Sequence, residues 1–178
     1  MNIKPLLLSA ICNMSTLVLS DASDPSASLE HTVVTFELKM AAPIAEVAPL
    51  FGAEKERAWA GSHWNPIFLY PQPARDTKGA VFAVSHGDVE AIWVCTELDL
   101  AAGRIQYVYT IPKELVTLIE IELKETGKNR TVGHVSYQRT ALAAEGNDRL
   151  RHLADADRKA GPEWEHAINN YLKTRSSQ

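Results

Sequence analysis

The sequence predicts an α+β fold: a curved antiparallel sheet of about seven strands around one long C-terminal helix, with two short helices after the first strand. Three observations carry it. An apolar, β-rich segment, Thr32 to Lys39, leads into two short helical stretches. These close on a tryptophan-marked segment, Glu56-Arg57-Ala58-Trp59-Ala60-Gly61-Ser62-His63-Trp64-Asn65-Pro66, and a long series of strand-like runs follows. The C-terminal stretch returns to helical spacing and carries Trp164. A sheet curved around a helix in this order leaves an apolar cavity between the two.

The elements follow in order. Thr32-Val33-Val34-Thr35-Phe36-Glu37-Leu38-Lys39 is rich in β-branched residues and ends in alternation, as a strand does. Pro43 opens a helical stretch in which Ile44, Val47 and Phe51 share one face. Pro49 keeps it short or kinked, and Gly52 ends it. Ala53 to Ala60 is a second short helix, stopped by Gly61. From Ile67 the pattern becomes strands punctuated by turns. A loop through Pro71, Pro73 and Asp76-Thr77-Lys78-Gly79 precedes a strand over Ala80 to Ser85. His86-Gly87-Asp88 makes a tight hairpin turn into Val89 to Leu98. Ala101-Ala102-Gly103 turns into Arg104 to Thr110; Glu114 to Lys124 and Arg130 to Leu142 complete the meander. Asn147 is a candidate cap for the final helix. Its stripes are Leu150, Leu153 and Ala154, then Trp164, Ala167, Ile168, Tyr171 and Leu172. Gly161-Pro162 between them leaves two outcomes, a kinked helix or two helices in series.

Alternation assigns faces. Leu115, Thr117, Ile119, Ile121 and Leu123 form one inward set, and Ile105, Tyr107, Tyr109 and Ile111 a second. Trp93 points inward with Val89, Ala91 and Cys95. The last strand is ambiguous. Either Val135, Tyr137 and Arg139 face in, or His134, Ser136 and Gln138 do.

A chain of 178 residues favours a single domain, here over 29–178, and can bury a core without staples. Its 46% hydrophobic and 22% charged residues are an ordinary globular balance. With a net charge of -4 and no Lys/Arg cluster, nucleic acid is not the expected partner. No apolar run reaches the roughly 18 residues of a membrane span. Residues 1–28 read as a leader: Lys4, a diluted apolar stretch from Pro5 to Leu19, then small polar residues with cleavage after Ala22 or Ala27. A disordered extension is the other reading. A cleaved leader implies a secreted or periplasmic protein; an uncleaved one implies the cytoplasm. Cys12 leaves with the leader, so Cys95 is expected alone, as a small buried hydrophobe.

Three segments together resemble the SRPBCC superfamily, also called START-like, which has the helix-grip fold and includes polyketide cyclases or dehydratases and lipid carriers. They are Glu56-x-x-Trp59-x-Gly61-x-x-Trp64-Asn65-Pro66; Gly79-Ala80-Val81-Phe82 with Trp93; and Tyr137-x-x-Thr140-Ala141-Leu142-Ala143-x-Glu145-Gly146-Asn147 followed by Trp164-x-x-Ala167-Ile168-x-x-Tyr171-Leu172. Gly61-Ser62-His63-Trp64 carries one residue more than the family's tighter Gly–Trp spacing. The resemblance implies a cavity for a small hydrophobic molecule or lipid. It spans binders, enzymes and chaperone activators, so it does not choose among them.

No nucleophile, dinucleotide or phosphate-binding motif is visible, so no cofactor is expected. His31, His134, His152 and His166 lack ligand spacing, so no metal is expected. The weak acid/base candidates are His134, His63 and Glu56, set against solvated or structural roles for each. His86 is expected to serve its turn. The candidate ligand-binding residues are Trp59, Trp64, Phe82, Trp93, Tyr107, Tyr109, Ile119, Tyr137 and Trp164, although large aromatics also fill cores. Three functions follow: a binder or carrier, a cyclase- or dehydratase-type enzyme, and a chaperone-activator-like module with a closed cavity.

Overall fold

The computed structural model describes residues 28–86 and 89–176. The leader, Cys12, the Gly87-Asp88 turn and the His86 side chain lie outside the described residues. Seven strands form one antiparallel sheet: β1 (His31–Met40), β2 (Ile67–Tyr70), β3 (Val81–His86), β4 (Val89–Asp99), β5 (Arg104–Ile111), β6 (Leu115–Gly127) and β7 (Arg130–Ala141). Their order across the sheet is β1-β7-β6-β5-β4-β3-β2, so only β1 leaves the meander, to pair with β7. The helices are α1 (Ile44–Val47), α2 (Ala53–Glu56) and α3 (Gly146–Ser176).

The expected pattern of strands and inward faces holds. Leu115, Thr117, Ile119, Ile121 and Leu123 are buried, as are Ile105, Tyr107, Tyr109 and Ile111, and also Ala91, Trp93 and Cys95. Register settles β7: Val135, Tyr137 and Arg139 are buried, so His134, Ser136 and Gln138 point away from the core. Cys95 is a buried free thiol, pushed up to about 11 by burial. Gly103 turns β4 into β5 with φ of 69°, and a Cβ there would lie 2.4 Å from the Leu123 carbonyl oxygen.

Three details refine or correct the expectation. The first helical stretch tightens at Pro49 into a 3-10 turn, Ala48–Phe51, and α2 ends at Glu56, so Trp59 sits in the turn beyond it. Of the two outcomes open at Gly161-Pro162, two helices in series is excluded: α3 runs through Pro162 as one helix of 31 residues. Asn147 does not cap α3, which begins at Gly146. Its side chain instead accepts from the Glu30 N–H at 3.0 Å and donates to the Ser28 carbonyl at 3.1 Å, fastening the start of β1 to the helix. Leu150, Ala154, Ile168 and Leu172 bury the inner stripe of α3.

Candidate functional site

The segment from α1 to Trp64 is held by three aromatic side chains and one carboxylate. Trp59 Nε1 donates to the Leu50 carbonyl at 2.7 Å, Trp64 Nε1 to the Ala53 carbonyl at 2.8 Å, and the Tyr107 hydroxyl to the Phe51 carbonyl at 2.8 Å. Their donors are spent on backbone carbonyls of the 3-10 turn, Leu50 and Phe51, and of the first residue of α2, Ala53. Asp76, from the loop before β3, accepts from the first-turn N–H groups of Glu54 at 2.8 Å and Lys55 at 3.2 Å and so caps α2. Gly52 permits this approach, since a Cβ there would lie 2.5 Å from the Asp76 carboxyl carbon. Arg57 ties the following loop down through Glu54, Asn65 and the Pro66 carbonyl.

Between this segment, α3 and the inner sheet face lies a cavity of about 420 Å³. That volume lies within the range of small-molecule sites. All four tryptophans of the chain line it: Trp59, Trp64, Trp93 and Trp164. Tyr107, Tyr109, Tyr137 and Ile119 line it too, so eight of the nine expected ligand-binding residues are brought together. Trp93 stacks on Tyr109 at 4.3 Å, Trp59 meets Trp164 edge-on at 5.4 Å, and Trp64 meets Trp93 in the same way at 5.4 Å. Phe82 is the exception. It is fully buried behind Trp93, stacked on that ring and on Phe68, and does not line the cavity.

The cavity has two polar regions. On β7, Arg139 is 2% exposed and makes a two-pronged ion pair with Asp157 of α3. It also donates to the Tyr109 hydroxyl at 3.4 Å, and its guanidinium lies 4.5 Å from the centre of the Tyr137 ring. Burial raises the Asp157 carboxyl and the Arg139 charge pulls it back down. Toward the mouth, Glu56 lines the cavity, and no side-chain hydrogen bond from a described residue reaches its carboxylate. Burial, and then the nearby Asp76 carboxylate, hold its proton well above the ordinary carboxylate range. His63 and Glu163 line the exposed rim.

The acid/base candidates therefore part company. Glu56 and His63 are at the cavity. His134 is a correction: period-two alternation from inward Tyr137 puts it on the outer face, 62% exposed by side chain and 3.9 Å from Glu37. Arg139 and Asp157 were missed by sequence reasoning. An arginine at an inward position looked like a break in the apolar face, and Asp157, one helical turn beyond Ala154, was one of several acidic residues in the C-terminal segment.

Among the described residues, four buried side-chain atoms have no hydrogen-bond partner: Thr32 Oγ1, Trp93 Nε1, Thr117 Oγ1 and Arg139 Nε. All four residues belong to one line of the sheet, because Thr32 and Thr117 flank Arg139, Tyr109 pairs with Thr117, and Trp93 pairs with Tyr109. Among the described residues no group of His, Cys, Asp or Glu could hold a metal, and no helix is long and apolar enough to cross a membrane.

A curved seven-stranded antiparallel sheet gripping one long C-terminal helix is the helix-grip fold. Solved structures share it. The Mll3558 protein from Rhizobium loti matches with a TM-score of 0.58 at 20% identity, over 81% of this chain and 99% of that one. Truncated norcoclaurine synthase from Thalictrum flavum matches with a TM-score of 0.57 at 13% identity, over 76% and 93%. Ara h 8.0201 matches with a TM-score of 0.55 at 14% identity, over 82% and 99%. No family model matches the sequence, and no curated protein does.

Proposed function

We propose that this protein binds a small amphipathic molecule between the sheet and α3. The observation that carries the reading is the aromatic cavity of about 420 Å³ into which every tryptophan of the chain faces. Its walls suit an apolar body, and its few polar groups suit one fixed orientation. The open cavity speaks against the interaction-module reading, which expects a closed one. The helix-grip neighbours include a norcoclaurine synthase solved with dopamine and hydroxybenzaldehyde, at 14% identity and a TM-score of 0.52, so the fold accommodates small aromatic ligands.

Native mass spectrometry of the protein purified from its own source tests this reading. An adduct of defined mass, weakened by Trp93→Ala or Tyr107→Ala, is expected. Protein that stays free of adduct, and whose tryptophan fluorescence responds to no apolar or amphipathic compound, would overturn it. The same spectrum tests a leader of 1–28 that directs export, through the mass of the mature N-terminus.

A second reading, an acid/base enzyme, draws on one observation: the Glu56 carboxyl lines the cavity, where burial and the nearby Asp76 carboxylate push its proton affinity upward, the direction a general acid needs. His63 at the rim is the available second group. Turnover of a bound compound that is lost in Glu56→Gln would favour this reading over simple carriage.

A further inference from the structure

The polar groups of the cavity are not equivalent, and the difference points to the charge of the ligand. Arg139, the buried cation of the lining, is committed to Asp157. That pair cancels. What remains inside is Glu56, with no ion pair or hydrogen bond to its carboxylate from a described residue, and no lysine among the described residues lines the cavity. The aromatic walls have a matching property. Trp59 and Trp64 spend their N–H groups on the Leu50 and Ala53 carbonyls, so what they can offer a ligand is ring carbon and its negative π-face. The Arg139 guanidinium, 4.5 Å from the Tyr137 ring centre, already demonstrates one cation on an aromatic face of this cavity.

We propose that the ligand carries a protonated amine, seated with its ammonium on the Glu56 carboxylate and among the tryptophan ring faces. This rests on the cavity-binding reading and specifies the chemical class of its ligand. Unpaired, the Glu56 carboxylate is costly to ionise, and its neighbours add to the cost: Asp76 from the loop before β3 raises it further, and the Tyr107 and Tyr137 hydroxyls facing it from β5 and β7 are themselves neutral. Arg139 is neutralised by Asp157, and His63 and Glu163 sit at the rim. An ammonium supplies the missing countercharge. Binding then releases the Glu56 proton to solvent, so affinity for an amine rises with pH until the amine itself loses its proton. A neutral ligand that accepts a hydrogen bond from the protonated carboxyl has the opposite slope, because raising the pH removes its donor.

Isothermal titration of the full chain with 4-phenylbutylammonium, 4-phenylbutanol and 4-phenylbutanoate separates these cases. The ammonium is expected to bind about tenfold tighter than the alcohol near neutral pH. Its affinity should rise with pH until the amine itself loses its proton, with proton uptake by the buffer. In Glu56→Gln, checked for folding by its thermal transition, the amine-over-alcohol ratio should fall to within about threefold. The pH slope of the unmutated protein needs no variant. Equal binding of amine and alcohol, or a preference kept in Glu56→Gln, overturns the amine and leaves the cavity reading intact. Tightest binding of the carboxylate also overturns it and moves the anchor to the unpartnered donors Trp93 Nε1 and Arg139 Nε. Binding of none of the three, together with adduct-free native spectra, overturns both.

Discussion

Two of the carboxylates that line the cavity stand in opposite circumstances. Asp157 reaches from α3 to a buried arginine on β7, and the pair joins helix to sheet. Glu56 ends α2 and meets no cation at all among the described residues. The first charge is spent within the fold; the second is held in readiness. The contrast separates architecture from chemistry inside a pocket whose aromatic walls serve both. Trp59, Trp64 and Tyr107 use their polar edges to hold the mouth segment and turn their ring carbon to the cavity.

The largest effect should come from breaking the paired carboxylate. Asp157→Ala leaves the Arg139 charge buried and unmatched, which costs about 3–5 kcal/mol. Chemical denaturation measures it. Joint replacement, Arg139→Met with Asp157→Leu, should recover most of that loss, since a well-packed apolar pair can substitute for a buried ion pair. Failure of the double variant to recover would mean that Arg139 does more than staple.

Next comes the Asp76 cap at the Glu56 end. Gly52→Ala places a Cβ 2.5 Å from the Asp76 carboxyl carbon, so the cap must move. A loss of about 1–3 kcal/mol in the same assay is expected. No loss would show that the α2 start has slack.

Glu56→Gln gives a smaller and pH-dependent effect, with a definite sign. The folded-state proton affinity of Glu56 is raised, so the native state holds more protons than the unfolded one. Stability therefore falls as pH rises from the unfolded carboxyl value through the raised folded value, and is flat beyond. Asp76 and Asp157 add slopes of the same sign. Denaturation midpoints against pH should show a shallower fall in the variant than in the parent. An equal fall would place Glu56 in water. Smallest of all, His134→Ala on the outer sheet face should change stability by less than about 0.5 kcal/mol and leave ligand binding untouched.

The same comparison shows what a sequence makes legible. The succession of strands along the chain, the inward faces of β4 to β6 and eight cavity residues followed from period-two alternation and aromatic placement, because apolar burial repeats along the chain; the place of β1 beside β7 did not. The polar interior did not follow. Arg139 and Asp157 are 18 residues apart on different elements, and their pairing depends on how α3 crosses β7. An arginine in an apolar alternation left the β7 faces undecided, which is why His134 looked eligible. Phe82 failed for another reason: alternation gives a face but not a depth, and Trp93 stands between it and the cavity. Gly161-Pro162 allowed either a kinked helix or two helices in series, and the chain forms one helix. The close contact of Gly161 with Phe36, where a Cβ would lie at 3.3 Å, suits a helix pressed onto the sheet.

The most direct test is the titration of the Glu56 side-chain carboxyl by carbon-detected nuclear magnetic resonance in the ligand-free protein. An unpartnered carboxyl inside the cavity should titrate well above the ordinary carboxylate range, and Asp76→Asn should bring its midpoint down. A midpoint at the ordinary value, indifferent to Asp76, would contradict the account, for Glu56 would then be a solvated surface charge.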